Sequence, residues 1–82
     1  MKTELFAIYD AKAKIYNRPF HQVNKAVAER AAATFMQNNE DIKHNPEDFS
    51  LHHFGSFDDV NGKFELHEQP ELVLSFKSIG VE

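Results

Sequence analysis

Apolar and polar positions follow a two-residue alternation at both ends of the chain and a helical period in the middle. Glu4 to Tyr9 and Lys14 to Phe20 are rich in β-branched and aromatic types, with Asp10 to Ala13 between them, which predicts a first hairpin. Pro19 cannot donate to a ladder and belongs at the end of the second strand or on an edge. A helix is predicted next. With Val23 at the origin and about 100° per residue, Val27, Ala28, Ala31 and Phe35 fall on one arc, and Lys25, Glu29, Arg30 and Gln37 fall opposite. Asn24 is the expected N-cap, and the many alanines give a thin side that can lie close against a sheet.

Asn38 to Asp41 is a polar run that ends this helix, and Asn45-Pro46-Glu47-Asp48 has the signature of a further short helical turn. Ser50 to Phe57 and Lys63 to Glu68 then flank Asn61-Gly62, a strong hairpin signal. Alternation puts Leu51 with Phe57 and Phe64 with Leu66, and these are expected to meet as the core face. After Pro70, the run with Leu72, Leu74 and Phe76 aligned reads as a fifth strand or an extended tail. The order ββαββ, with that fifth strand, predicts an α+β fold: a small antiparallel sheet of two hairpins covered on one face by one main helix. The other sheet face is then free for binding.

The chain has 82 residues, which suits one domain over residues 1–82 with a modest core that a homodimer would help to stabilise. It has no cysteine, so thiol catalysis, disulfides and cysteine-ligated zinc are excluded, and a reducing compartment is the expected setting. No run of about 18 apolar residues occurs, and the opening segment lacks a signal-peptide core, so neither membrane nor secretion is expected. The net charge of −4 hides an asymmetry: residues 1–37 carry six cations against three carboxylates, and residues 38–82 carry three lysines against ten carboxylates. One part of the molecule can therefore present a basic surface.

That surface has a candidate. On an unbroken second strand, Lys12, Lys14, Tyr16, Arg18 and Phe20 project to one side, so cations and rings share a face. Single-stranded nucleic acid calls for this pairing, because cations neutralise phosphates and rings stack on bases. Lys25 and Arg30 on the polar side of the helix extend the set. The alternative is that Lys12 and Lys14 sit in a solvated turn and that Tyr16 and Phe20 are core residues beyond a bulge at Pro19.

Other chemistries are less well supported. His44, His52, His53 and His67 have no metal-ligand spacing; His52 and His53 point to opposite faces, and His52 and His67 are the pair expected to share the face away from the core. Phe57 to Glu68 partly imitates a calcium loop, but phenylalanine supplies no oxygen at its first position. No metal or other cofactor is therefore expected. There is no glycine-rich phosphate loop or nucleophile elbow, which argues against an enzyme.

Two stretches carry a family resemblance: AIYDAKAKIYNRPF (7–20) and NPEDFSLHHFGSFDDVNGKFEL (45–66). Ile8-Tyr9-Asp10, Pro19-Phe20, Pro46-Glu47-Asp48 and Gly55-Ser56-Phe57-Asp58-Asp59 leading to Gly62-Lys63-Phe64 resemble, in that order, the small non-structural protein of gokushoviruses, single-stranded DNA phages of the microvirus group. The resemblance implies a phage protein of the host bacterial cytoplasm that binds DNA during viral single-stranded DNA synthesis or the switch to genome packaging. It brings no catalytic residue. The expected partner is single-stranded DNA. The alternative is an interaction module that acts on a host or phage replication or capsid protein, suggested by the acidic C-terminal part and the apolar Leu72 to Phe76 segment.

Overall fold

The computed structural model describes residues 1–79. Strand β1 (Lys2–Asp10) is followed by two short strands, β2 (Ile15–Tyr16) and β3 (Phe20–Gln22), then helices α1 (Lys25–Gln37) and α2 (Glu40–His44). A 3₁₀ turn (Pro46–Asp48) leads into β4 (Phe49–Asp58) and β5 (Lys63–Ser75), and a second 3₁₀ turn (Phe76–Ser78) follows. The α+β architecture is the one the sequence pattern predicts, an antiparallel sheet with one main helix against it. In the sheet β1 lies between β4 and the β2 and β3 pieces, and β5 forms the far edge.

The second strand of the first hairpin is broken. Asp10 caps its own turn by accepting from the backbone N–H of Lys12 (3.0 Å) and Ala13 (3.2 Å), so residues 11–14 are turn and not strand. Lys14 closes that turn with a left-handed φ of 61°. Pairing resumes at Ile15 and Tyr16, lapses around Pro19, and returns at Phe20 opposite Phe6. The uninterrupted alternation expected from Lys12 to Phe20 is therefore lost, since a proline within 17–19 supplies no ladder N–H.

Helix α1 starts where Asn24 accepts from the Val27 N–H at 2.9 Å. Its buried line is Ala28 and Ala32, displaced from the Val27, Ala31 and Phe35 centre expected, and Val23 is exposed outside the helix. Two methyl-sized side chains four residues apart let the helix approach the sheet closely. Residues 38–41 are not all connection: Asn39 accepts from the Asp41 and Ile42 N–H groups at 3.0 and 3.3 Å, starting α2 at Glu40. The short helix is anchored by Ile42, which is buried in the core with Phe6, Ile8, Ala28, Ala32, Leu51 and Phe76.

The second hairpin turns through Gly62 at φ 72°, with Asp58 accepting from the Val60 N–H (2.9 Å) and Asn61 from the Lys63 N–H (3.0 Å). Its register pairs Phe57 with Phe64 and Gly55 with Leu66, but a bulge at Phe54 reverses the parity along β4. Leu51 alone of the four expected core residues is buried, while Phe57, Phe64 and Leu66 lie on the opposite face, the last two 57% and 61% exposed. What the sequence left as a fifth strand or tail is the continuation of β5 to Ser75, after which Phe76 turns into the core. Pro70 is tolerated because β5 is an edge strand.

Candidate nucleic-acid interface

Pairing places Thr3, Leu5, Ala7 and Tyr9 of β1 on the sheet face away from the helices, because their neighbours Phe6 and Ile8 enter the core. Tyr16 is opposite Tyr9, His21 opposite Leu5, His52 opposite Ala7 and Phe57 opposite Thr3, so all of these share that open face. The rings touch one another. Tyr9 and Tyr16 centroids are 4.6 Å apart, and Tyr16 meets His52 at 5.6 Å and Phe54 at 5.5 Å, both edge-on. A second group joins Phe57 to Phe64 at 4.8 Å and to His21 at 5.8 Å. Ala7, although on the open face, has no exposed surface, which shows how closely neighbouring side chains cover this part of the sheet.

The same parity turns most of the acid away from this face. Glu4, Ser56 and Glu65 are successive partners across β1, β4 and β5 on the helix side, where Lys2 pairs with Glu65 at 3.2 Å and Lys25 with Glu71 at 3.7 Å. None of the residues that the ladder pairings place on the open face carries a carboxylate; Glu68, two residues beyond Leu66 in β5 and outside those pairings, is the acidic group that alternation puts on this side. Apart from Glu68, the acidic strand residues of the C-terminal part are thus turned away from the aromatic strip.

The seven residues singled out by the sequence do not form one surface. Tyr16 is on the open face and 41% exposed. Phe20 goes the other way: it stacks on Phe6 at 6.0 Å, meets Phe35 at 6.3 Å and packs against the core. Lys12 and Lys14 lie in the turn before Tyr16, and Arg18 in the connection after it; all three are exposed and unpaired among the described residues. Lys25 and Arg30 are exposed on α1, on the helix side of the sheet. His52 is on the face away from the core, as expected, but its expected companion His67 is on the helix side, because Leu66 takes the open face; sequence reasoning missed Tyr9, Phe54, Phe57 and Phe64 as members of the aromatic face. Tyr9 could have been found by pairing it with Tyr16 across the first turn; the others depend on the bulge at Phe54.

His52 adds a titrating group to this strip. Its Nε2 lies 2.9 Å from the Ser50 hydroxyl and its Nδ1 is buried without a partner, and this desolvation lowers its pKa. A histidine whose folded pKa is depressed binds fewer protons folded than unfolded, so it costs stability as pH falls below the ordinary histidine value of about 6.5. Thermal melting of the protein should drop between pH 7 and pH 5, and His52→Phe should reduce part of that drop. An unchanged pH dependence in the variant would show that His52 protonates freely in the fold.

The sequence profile of the phage ORF5 protein family matches residues 3–79, nearly all of the chain. The chain belongs to that family. The match spans β1 to the last 3₁₀ turn, so both the aromatic face and the helix-covered face are family territory. No curated protein and no solved structure matched the chain. No helix among the described residues is long and apolar enough to cross a membrane.

Proposed function

We propose that this phage ORF5 family protein is a non-enzymatic binder of single-stranded DNA that uses the open sheet face, acting in the host cytoplasm during viral DNA synthesis or the switch to packaging. The observation that carries the reading is the strip of touching rings around Tyr9, Tyr16, His52 and Phe54. Unpaired bases stack on such rings at about 1 to 3 kcal/mol each, whatever their identity. Lys14 and Arg18, two residues to either side of Tyr16, supply charge for the flanking phosphates, with Lys12 beside them. Phe20 drops out of the interface because it supports Phe6 from the core side, and Lys25 is engaged with Glu71.

The test is fluorescence anisotropy with a labelled thymidine oligonucleotide. Tyr16→Ala should weaken binding by about 5- to 150-fold, the range of one lost stacking contact, with melting little changed because the ring is half-exposed. Replacing Lys12, Lys14 and Arg18 by glutamine should lower the log-log salt slope by about 2, at about 0.7 per phosphate. No binding by the folded protein at low salt would overturn the reading.

A second reading is favoured by β5, whose outer edge is unpaired and whose Phe64, Leu66 and Leu72 are all more than half exposed. Such an edge can accept a strand from a replication or capsid protein, or from a second copy of the chain. Recovery of a replication or capsid protein in a pull-down that survives nuclease treatment, together with silent anisotropy, would favour it over DNA binding.

A further inference from the structure

On the helix side of the sheet, away from the aromatic strip, four ionisable side chains from three strands converge. His53 of β4 is 7% exposed and its Nε2 lies 2.6 Å from a Glu4 carboxylate oxygen of β1. Its other nitrogen, Nδ1, lies 2.8 Å from His67 Nε2 of β5, and Glu71 Oε1 is 3.7 Å from both of those nitrogens. The two imidazoles come together because plain alternation from the buried Leu51 keeps His53 inward, opposite Phe6, while the bulge at Phe54 puts Leu66 on the open face and so turns His67 to the helix side, where β5 bows out between its pairings at Leu66 and Glu71.

Donor and acceptor accounting gives this cluster a direction. The Glu4 carboxylate only accepts, so His53 donates from Nε2 and, in the neutral ring, its Nδ1 accepts from the His67 Nε2–H, with the Glu71 carboxylate oxygen beside both nitrogens. That is the arrangement in which a carboxylate holds the far side of a metal-ligating histidine, fixing its tautomer and raising its basicity. The three ligand atoms, His53 Nδ1, His67 Nε2 and Glu71 Oε1, form a triangle with edges of 2.8, 3.7 and 3.7 Å. Three ligands at about 2.0 to 2.1 Å in tetrahedral geometry stand about 3.3 Å apart. A shift of about half an ångström in each edge therefore converts one triangle into the other, and His67 and Glu71 are exposed enough to move. The cluster borders a shallow depression of about 340 Å³ lined by Glu4, His53, Ser56, Glu65 and His67, which leaves a route for the ion and for a water at the fourth position.

We propose that His53, His67 and Glu71 form a binding site for a divalent transition metal, of which zinc is the natural occupant for two nitrogens and one carboxylate, with Glu4 positioning His53. Binding moves the His67 proton from Nε2 to Nδ1 by exchange with solvent, so that the ring stays neutral, and the hydrogen bond between the two rings is exchanged for two metal–nitrogen bonds. The spacing of the histidines hides this site in the sequence, where Glu4 precedes His53 by 49 residues. It is the bulge that brings His67 to the side on which Glu4 and His53 already lie.

The test is isothermal titration of the tag-free protein with zinc chloride in a buffer that does not bind metal, followed by cobalt substitution and visible spectroscopy. One zinc per chain, a rise in melting temperature, and the strong visible absorption of four-coordinate cobalt are expected. His67→Ala and Glu71→Gln alter exposed side chains, should fold normally, and should each weaken zinc binding at least tenfold. Glu4→Gln should weaken it by about 10- to 100-fold, as loss of the outer carboxylate does elsewhere. Because His53→Ala empties a buried position and can fail to fold, His53→Gln with circular dichroism as a control serves as the companion variant. Zinc binding that is absent, or equally strong in folded His67→Ala, would overturn the proposal; the latter result would place the ion on other side chains, such as the exposed His44 and Glu40 pair. Oligonucleotide binding in zinc-free buffer separates this outcome from that of the open face.

Discussion

Gly55→Ala should destabilise the protein by about 3 kcal/mol or more and leave little folded material at 37 °C. Gly55 has φ +145°, which L side chains rarely adopt, and a Cβ there would overlap the Glu65 carbonyl oxygen and crowd the Leu66 backbone. Strain of this kind alone costs about 1 to 3 kcal/mol, and the overlap is with backbone across the strand pair, where no rotamer change relieves it. The chain can respond only by moving β5 away from β4, which breaks the pairings at Gly55–Leu66, Ser56–Glu65 and Phe57–Phe64. Urea denaturation followed by circular dichroism measures the loss; a midpoint within experimental error of the parent would mean that β4 and β5 are not in close register here. At Gly62, by contrast, a Cβ would meet nothing, and only the left-handed φ opposes substitution.

Phe76→Ala is expected to cost about 3 to 5 kcal/mol, the range for deleting a buried phenyl ring. Phe76 has no exposed surface and is one of the four largest fully buried side chains, with Phe6, Ile42 and Leu51. The total stability of a domain this size is about 4 to 12 kcal/mol, so one ring at the end of the chain decides whether the sheet keeps its helices. The Ser75 cap, which accepts from the Lys77 N–H at 3.2 Å, turns the chain so that the ring points inward. Differential scanning calorimetry is the readout. Near-parental melting would show that residues 76–79 are dispensable to the core.

The parts of the fold governed by local chemistry could be read from the sequence. Asn24 as the helix cap, Asn61-Gly62 as the hairpin turn, and alanines as the helix's contact surface depend on near neighbours, and all appear where the residues place them. What could not be read was parity. A single extra residue at Phe54 inverts the assignment of sides on β4 beyond it, moving Phe57, its partner Phe64, and Leu66 opposite Gly55 from the expected core to the open face. Phe20 was misassigned to the cationic face for a related reason, since the break around Pro19 separates its side from that of Tyr16. The aromatic character of one face was legible only in Tyr16 and His52, and the His53, His67 and Glu71 cluster not at all, because the rest depends on long-range register.

The outer edge of β5 runs for 13 residues with no neighbour strand among the described residues, and its backbone amides and carbonyls are a ready template for stacking copies into fibrils. Glu65, Glu68 and Glu71 are spaced along that strand, so two copies laid side by side would bring like charges together and be held apart at neutral pH. The safeguard is electrostatic and therefore conditional: protonated carboxylates no longer repel, and acid removes the barrier that keeps a concentrated solution of this chain clear.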